Sequence, residues 1–399
     1  MRWPIVGLLT VGVIIAYVDR INLSSALPEI RKSFALGPGA SGLLLSAFFW
    51  SYALLQVPAG SVVDRWGVKW PYTVAFSIWS VVSAATALVG SLAGLVWMRI
   101  LLGIGESIVT PASMRYIRTN FAEKERGFAI GVYMSGTKYG PAIGAPIAAY
   151  LVQAYGWKWM FVLTGLGCML WLIPWLALVK KDDAGPAPKA ASRAGGPSSW
   201  GVMLSTPVMW GTCLATFCYM YFVYFCMTWM PTYFKERHNL SLTDSGWYTF
   251  MSFAGMATIA IVGGWAADRL IARGHNPVTV RKAFTIAGFL LASSQIIGAF
   301  TNSPDVTKFF AVFSLTGLGL TTANYWALTQ TLMPGDAIGR VAGMQNTAAN
   351  LAGIASPWLT GIMVEKTGNF NAPIMAIGVW LAIGIGCYLF LVREKYAPR

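Results

Sequence analysis

Long runs without any charge decide what this chain can become. No Asp, Glu, Lys or Arg lies between Lys32 and Asp64, Lys69 and Arg99, Lys138 and Lys158, Lys158 and Lys180, or Arg193 and Lys235. The same holds between Asp244 and Asp268, Lys282 and Asp305, Lys308 and Asp336, Arg340 and Glu365, and Lys366 and Arg393. A helix crossing a bilayer needs about 20 mostly apolar residues, and each interval has room for one. Three apolar segments carry internal charge: 4–27 with Asp19 and Arg20, 94–114 with Arg99 and Glu106, and 128–152 with Lys138. The spacing predicts an all-α polytopic membrane protein of twelve transmembrane helices. The first segment continues past its charges without a small-residue cleavage site, so it reads as a span and not a signal peptide.

Composition closes the other routes. Charged residues make up 11% of the chain, against about 25% in a soluble domain. That excludes a large water-exposed surface, and with it disorder, collagen, coiled coil and a nucleic-acid module. The net charge of +14 reads as basic loops facing an anionic cytoplasmic leaflet. With the N-terminus inside, nineteen Lys and Arg fall on the cytoplasmic side, seven outside and three within the membrane. Both termini are therefore expected in the cytoplasm. Short loops point to a cell inner membrane, with the lipid bilayer as partner and the chain acting as a monomer.

Residues 180–200, rich in Pro, Gly, Ala and charge, read as a flexible linker. They divide the chain into a six-helix bundle at 1–180, a cytoplasmic linker at 181–203 and a second six-helix bundle at 204–399. The halves echo each other: Gly60-x-x-x-Asp64-Arg65 follows span 2 and Gly264-x-x-x-Asp268-Arg269 follows span 8, 204 residues later. Repeat-built transporters hold substrate at the repeat interface near the bilayer midplane. The five cysteines lie in apolar runs and read as packing residues. His238 and His275 lie in polar connections, and no Cys/His cluster has metal-ligand spacing. No metal or organic cofactor is expected.

Five charges interrupt the apolar pattern: Asp19, Arg20, Arg99, Glu106 and Lys138. Each costs about 2.5–3.5 kcal/mol at a helix centre on insertion scales. All five fall in the first half, and by default such residues mark a pathway or relay. Arg99 and Glu106 are seven apart, so one helical face presents both, roughly 10 Å apart. Arg20 could pair with Glu106 and leave Arg99 to a ligand, or the reverse. Arg suits a carboxylate because its planar fork donates two parallel bonds. Asp19 and Glu106 are the candidate proton-linked carboxyls. Lys138, in Ser135-Gly-Thr137-Lys138-Tyr-Gly-Pro141, is an anion contact, a counter-ion or a snorkelling side chain. The small residues and prolines around it allow close helix approach and a bend.

Uncharged polar residues supply a second candidate wall. Span 10 carries Asn324 and Trp326; span 11 carries Asn346 and Asn350, four apart on one face. Tyr17, Tyr52 and Gln56 in the first half and Tyr224 in span 7 are similar candidates. Most of the 18 tryptophans read as interface belts.

These motifs carry a resemblance. The chain looks like a major facilitator superfamily transporter over essentially its whole length. Gly60-x-x-x-Asp64-Arg65-x-Gly67-x-Lys69 matches the superfamily's loop 2–3 motif, and Arg99-x-x-x-Gly103-x-Gly105 resembles its helix 4 motif. Tyr17-Val-Asp19-Arg20-Ile-Asn22, Gly103-Ile-Gly-Glu106-Ser-Ile-Val-Thr-Pro111 and Thr228-Trp229-Met-Pro231-Thr-Tyr233 are similar to the anion:cation symporter family, bacterial relatives of the SLC17 organic-anion carriers. That resemblance implies symport of hexonates, hexuronates, aldarates or other carboxylates, with protons as the coupling ion. It implies that Asp19 and Glu106 bind protons and that Arg20 and Arg99 manage the substrate carboxylate. Tyr17, Tyr52, Trp326 and Asn346 would touch substrate. It also implies an inner gate at Gly60, Asp64, Arg65, Gly67 and Lys69, echoed by Asp268 and Arg269. Where sugar-acid carriers often have Gln on helix 5, this chain has Thr137 followed by Lys138.

Proton-coupled import of a small organic anion by alternating access is the leading expectation. An organic anion/phosphate exchanger is the alternative, since Arg20, Arg99 and Lys138 could clamp a phosphate. A drug/proton antiporter fits less well, because Ala145 interrupts the paired glycines of that helix 5 pattern. An integral-membrane enzyme is the remote alternative, for no nucleophile–base pair is present.

Overall fold

The computed structural model describes residues 2–180, 200–301, 303–333 and 338–397. Most of the 181–203 linker expected from the sequence lies outside them. The described residues are helical, with no strand among them. The helices are α1 (Arg2–Phe34), α2 (Pro38–Trp66), α3 (Lys69–Ala85), α4 (Leu92–Glu106), α5 (Val109–Asn120), α6 (Glu123–Cys168) and α7 (Leu172–Leu178). After the linker come α8 (Trp200–Ser205), α9 (Pro207–Thr228), α10 (Met230–His238), α11 (Leu242–Ala272), α12 (Pro277–Ser293), α13 (Gln295–Phe300), α14 (Pro304–Leu332), α15 (Ile338–Thr367) and α16 (Asn371–Gly386).

Ten helical segments among the described residues are long and apolar enough to cross a bilayer. Helices suit that setting because every backbone group is satisfied within the segment. Large apolar side chains point outward, Leu54, Val57, Leu88 and Phe309 among them, a surface fitted to lipid and not to water. One segment, Phe128–Leu178, runs for 51 residues. It is broken at Gly156, whose φ of 81° and ψ of 160° lie outside the helical region and at a positive φ that favours glycine.

Two compact units emerge: Met1–Ala191 with Met227–Phe250, and Ser192–Cys226 with Met251–Arg399. In the first, α1 and α6 form the most extensive contact. Glycines set the distance. A Cβ on Gly136 would stand 2.9 Å from the Thr10 carbonyl oxygen, and one on Gly140 3.0 Å from that of Ile14. At Gly144 it would stand 2.7 Å from the Ile21 side chain and 3.2 Å from Val18 Cα. Three glycines at four-residue spacing thus bring the two backbones together, as small residues do between membrane helices. On α4, Gly103 faces the backbone of Phe48 and Tyr52, and Gly105 faces Trp79. Ser51 Oγ donates to the Ile100 carbonyl at 2.7 Å. Helix α4 is thereby fixed between α2 and α3.

Polar contacts close both ends of this unit. At one end Arg2 pairs with Glu125 at 3.0 Å, Arg115 with Asp64 at 2.7 Å, and Lys69 donates to the Leu176 carbonyl at 3.0 Å. At the other, Glu29 pairs with Lys235 at 2.9 Å and with Lys32 at 3.3 Å. Arg31 meets Glu236, and Ser24 Oγ bonds the Met227 carbonyl at 2.9 Å. Trp66, Trp70, Trp97 and Trp159 are exposed. Trp79, Trp171 and Trp175 instead form a buried cluster with Tyr72 and Phe76, rings 4.5–6.1 Å apart.

In the second unit, α14 packs on α12. Thr321 Oγ1 donates to the Thr285 carbonyl at 3.0 Å, and Gly288 gives it room. Replacing Gly144 by Leu is expected to cost about 1–3 kcal/mol through overpacking of α1 on α6. Thermal melting of the detergent-purified protein checks this, with the neighbouring exposed Ile143→Leu expected to melt like the parent.

Candidate functional site

The first unit gathers four of the five intramembrane charges. Glu106 is the central residue of the segment Leu92–Asn120, and Asp19 and Arg20 lie within two residues of the centre of Arg2–Phe34. All four of Asp19, Arg20, Arg99 and Glu106 are buried, between 0% and 5% exposed. Of the two pairings open from the sequence, the structure holds Arg20 with Glu106, Nε to Oε2 at 2.8 Å. Charges this deep persist only when paired and hydrogen-bonded.

The Arg20 guanidinium is boxed by rings. Its Cζ lies 4.4 Å from the centroid of Tyr17, 4.6 Å from Phe48 and 4.5 Å from Tyr52. Each such contact is worth about 0.5 to 2 kcal/mol, the higher figure applying when desolvated. Phe48 and Tyr52 stack on each other at 5.1 Å. Tyr17 and Tyr52 thus join the site as the sequence expects. Phe48 was not singled out there, although it stands one helical turn before Tyr52 and shares its face.

Arg99 is held more loosely. Its Nη1 donates to the Asp19 carbonyl oxygen at 3.4 Å, and its Cζ lies 5.3 Å from the Phe48 ring. Its Nε has no hydrogen-bond partner. Asp19 accepts from Ser83 Oγ at 2.8 Å through Oδ1, while Oδ2 has no partner; nor does Glu106 Oε1. A buried polar atom without a partner costs about 1–3 kcal/mol, more when charged. Three such atoms on ionised groups mark a site built to receive something. Nearby, Asn22 donates to Thr164 Oγ1 at 3.0 Å.

The remaining candidates of this unit are spread along the same helices. Lys138 and Thr137 are half-buried on α6, and the Thr137 hydroxyl donates to the Met134 carbonyl at 2.8 Å. Gln56 is half-buried on α2. Of the gate motif, Gly60, Asp64, Arg65, Gly67 and Lys69 cluster at the end where Arg115 binds Asp64. Arg65 lies over Trp66 at 5.8 Å. The echo in the second unit is partial: Asp268 pairs with Arg281 at 2.8 Å, and Arg269 lies over Trp265 at 5.3 Å.

The second unit offers uncharged groups. Asn324 is buried and donates to the Leu320 carbonyl at 2.9 Å, its Oδ1 without a partner. Tyr219 and Thr322 hydroxyls meet at 2.8 Å, and the Tyr325 ring lies tilted against Tyr219 at 5.1 Å and Trp326 at 5.4 Å. Tyr224 and Asn350 are buried, whereas Asn346 is exposed. Gln345 donates to Thr216 and Thr329, at 3.3 and 3.1 Å. Among the described residues no three His, Cys, Asp or Glu side chains come together as a metal site.

Comparison with known proteins names this arrangement. The family model of the Major Facilitator Superfamily matches residues 9–357. The chain belongs to that superfamily. It is a transporter and not an enzyme. It is 31% identical to a probable sulfoacetate transporter of Cupriavidus necator, covering 98% of this chain and 94% of that one. It is also 31% identical to a hexuronate transporter of Bacillus subtilis, over 94% and 91% of the two chains. A D-galactonate transporter of Escherichia coli is 28% identical over 98% and 96%. Among solved structures, a bacterial homologue of the human lysosomal transporter Spinster gives a TM-score of 0.82 at 18% identity, over 98% and 97% of the chains. The D-xylose–proton symporter gives 0.80 at 16%, over 99% and 98%. These two share the fold.

Removing one member of the Arg20–Glu106 pair is expected to cost about 3–5 kcal/mol, because the other charge stays buried. Arg20→Gln, Glu106→Gln and the double variant form a cycle. Denaturant unfolding in detergent should show the double variant losing less than the sum of the singles.

Proposed function

We propose that this chain is a secondary active transporter that moves a small organic anion in symport with protons by alternating access. The substrate class is a sugar acid such as a hexonate, hexuronate or aldarate, or a related carboxylate, in keeping with what relatives of this chain are named for. The reading places twelve crossings in two six-helix bundles in a cell inner membrane, both termini cytoplasmic. In support, Phe128–Leu178 is long enough for two crossings either side of Gly156, and α15 adds a 30-residue helix to the ten segments.

One observation carries the proposal: four buried charges on two spans that sum to zero while leaving polar atoms unsatisfied. Two arginines and two carboxylates are neutral together. Each proton taken up by Asp19 or Glu106 adds one positive charge to a low-dielectric interior, which is costly. An anion restores neutrality, so proton and anion favour each other's binding. Protonating Glu106 weakens its hold on Arg20, and the freed guanidinium donates to the substrate carboxylate bidentately. Without the proton, Glu106 competes for the same donors. One proton per monoanion moves no net charge; two protons gain about 2.3 kcal/mol per 100 mV. Asn324, Asn350 and Tyr224 of the second unit are uncharged donors and acceptors of the kind that substrate hydroxyl groups need.

Proteoliposomes with an alkaline interior test this, using labelled D-galactonate, D-glucuronate and sulfoacetate. Accumulation of one of them is expected, about tenfold per pH unit for one proton per anion. Glu106→Gln should equilibrate substrate without concentrating it. Uptake that ignores the pH gradient but requires internal phosphate would assign an exchanger instead.

A further inference from the structure

We propose that Ser83 of α3 is a positioning residue for the proton step, orienting the Asp19 carboxylate so that one oxygen is held and the other stays open to the proton. This rests on the proposed proton-linked role of Asp19. Ser83 is 3% exposed, and its hydroxyl donates to Asp19 Oδ1 at 2.8 Å. A hydroxyl carries one proton, so this bond commits it. Oδ2 is left without a donor at a residue 1% exposed.

Other groups surround Asp19 but do not take this role. Arg20 of the same helix is turned to Glu106 and the three rings. Arg99 of α4 reaches the Asp19 backbone carbonyl and not its carboxylate. Glu106 of α4 repels the carboxylate, and Cys168 of α6 stands near it as a neutral thiol. Among the described residues, Ser83 is therefore the side-chain donor to the Asp19 carboxylate. One turn earlier on the same face, the Ser80 hydroxyl is buried and without a partner, as is Asn22 Oδ1 one turn beyond Asp19. Asp19 Oδ1 is thus occupied while Oδ2 has no partner.

A donor to a carboxylate favours its ionised form. Loss of the Ser83 hydroxyl should make Asp19 keep its proton to higher pH. The expected displacement is about one pH unit, a tenfold change in proton affinity, from the strength of a hydrogen bond to a charged group. A Ser83→Thr variant retains the hydroxyl and should behave as the parent.

Infrared difference titration of the full-length purified protein, without substrate, reads this directly. The carboxyl stretching band of protonated Asp19 is identified by its loss in Asp19→Asn. In Ser83→Ala the band is expected to persist about one pH unit higher than in the parent, with its frequency shifted, and in Ser83→Thr to match the parent. Thermal melting confirms that the variants are folded. A band titrating identically in the parent and Ser83→Ala overturns the role of Ser83 and leaves proton coupling standing. A band absent from the parent at every pH overturns both. A shifted band in a protein whose uptake ignores the pH gradient shows that Ser83 sets the Asp19 titration but overturns its part in a proton step together with the proton-coupled reading.

Discussion

Four charges buried within two bilayer-spanning segments are what the first unit is organised around. A charge there is costly in isolation, and packing cannot compensate for it. The chain answers with an ion pair, an aromatic enclosure and a hydroxyl donor: Glu106 for Arg20, three rings around its guanidinium, and Ser83 for Asp19. The answer is deliberately incomplete on Arg99, Asp19 and Glu106, each of which keeps an unpartnered atom. A fully satisfied network would rigidify the unit; this one retains unused hydrogen-bonding capacity.

The scaffold makes such a network possible through close backbone contact. Gly136, Gly140 and Gly144 press α6 onto α1, so Tyr17, Asp19 and Arg20 are delivered from a helix with little freedom to shift. Gly103 and Gly105 do the same for α4 on its two flanks, fixing the heights of Arg99 and Glu106. Precision at the site therefore comes from residues that have no side chain.

Much of this was legible in the chain. Charge-free intervals reveal helices because lipid penalises charge everywhere along a span, and the five exceptions stood out for the same reason. The tyrosines at 17 and 52 were found through a motif, and they do face Arg20. Phe48 and Ser83 were hidden for opposite reasons. A phenylalanine in an apolar helix resembles every other one until its neighbour is known. A lone serine there more often bonds its own preceding turn, as Ser46 does. The interruption at Ser107 also escaped notice, since it sits inside the 94–114 segment, whereas Gly156 falls in the connection expected between 128–152 and the interval after Lys158. The belt role expected of the tryptophans missed the buried Trp79–Trp171–Trp175 cluster, because periodicity cannot tell a ring facing lipid from one facing a neighbour.

The Arg20–Glu106 pair joins residues 86 positions apart, and synthesis runs in one direction. At about 5–20 residues per second, the first helix waits roughly 4 to 17 s before its counter-charge is made. The ion pair of the first unit therefore closes only after the fourth helix is made, which makes it an event of late assembly and not of the first helix's insertion.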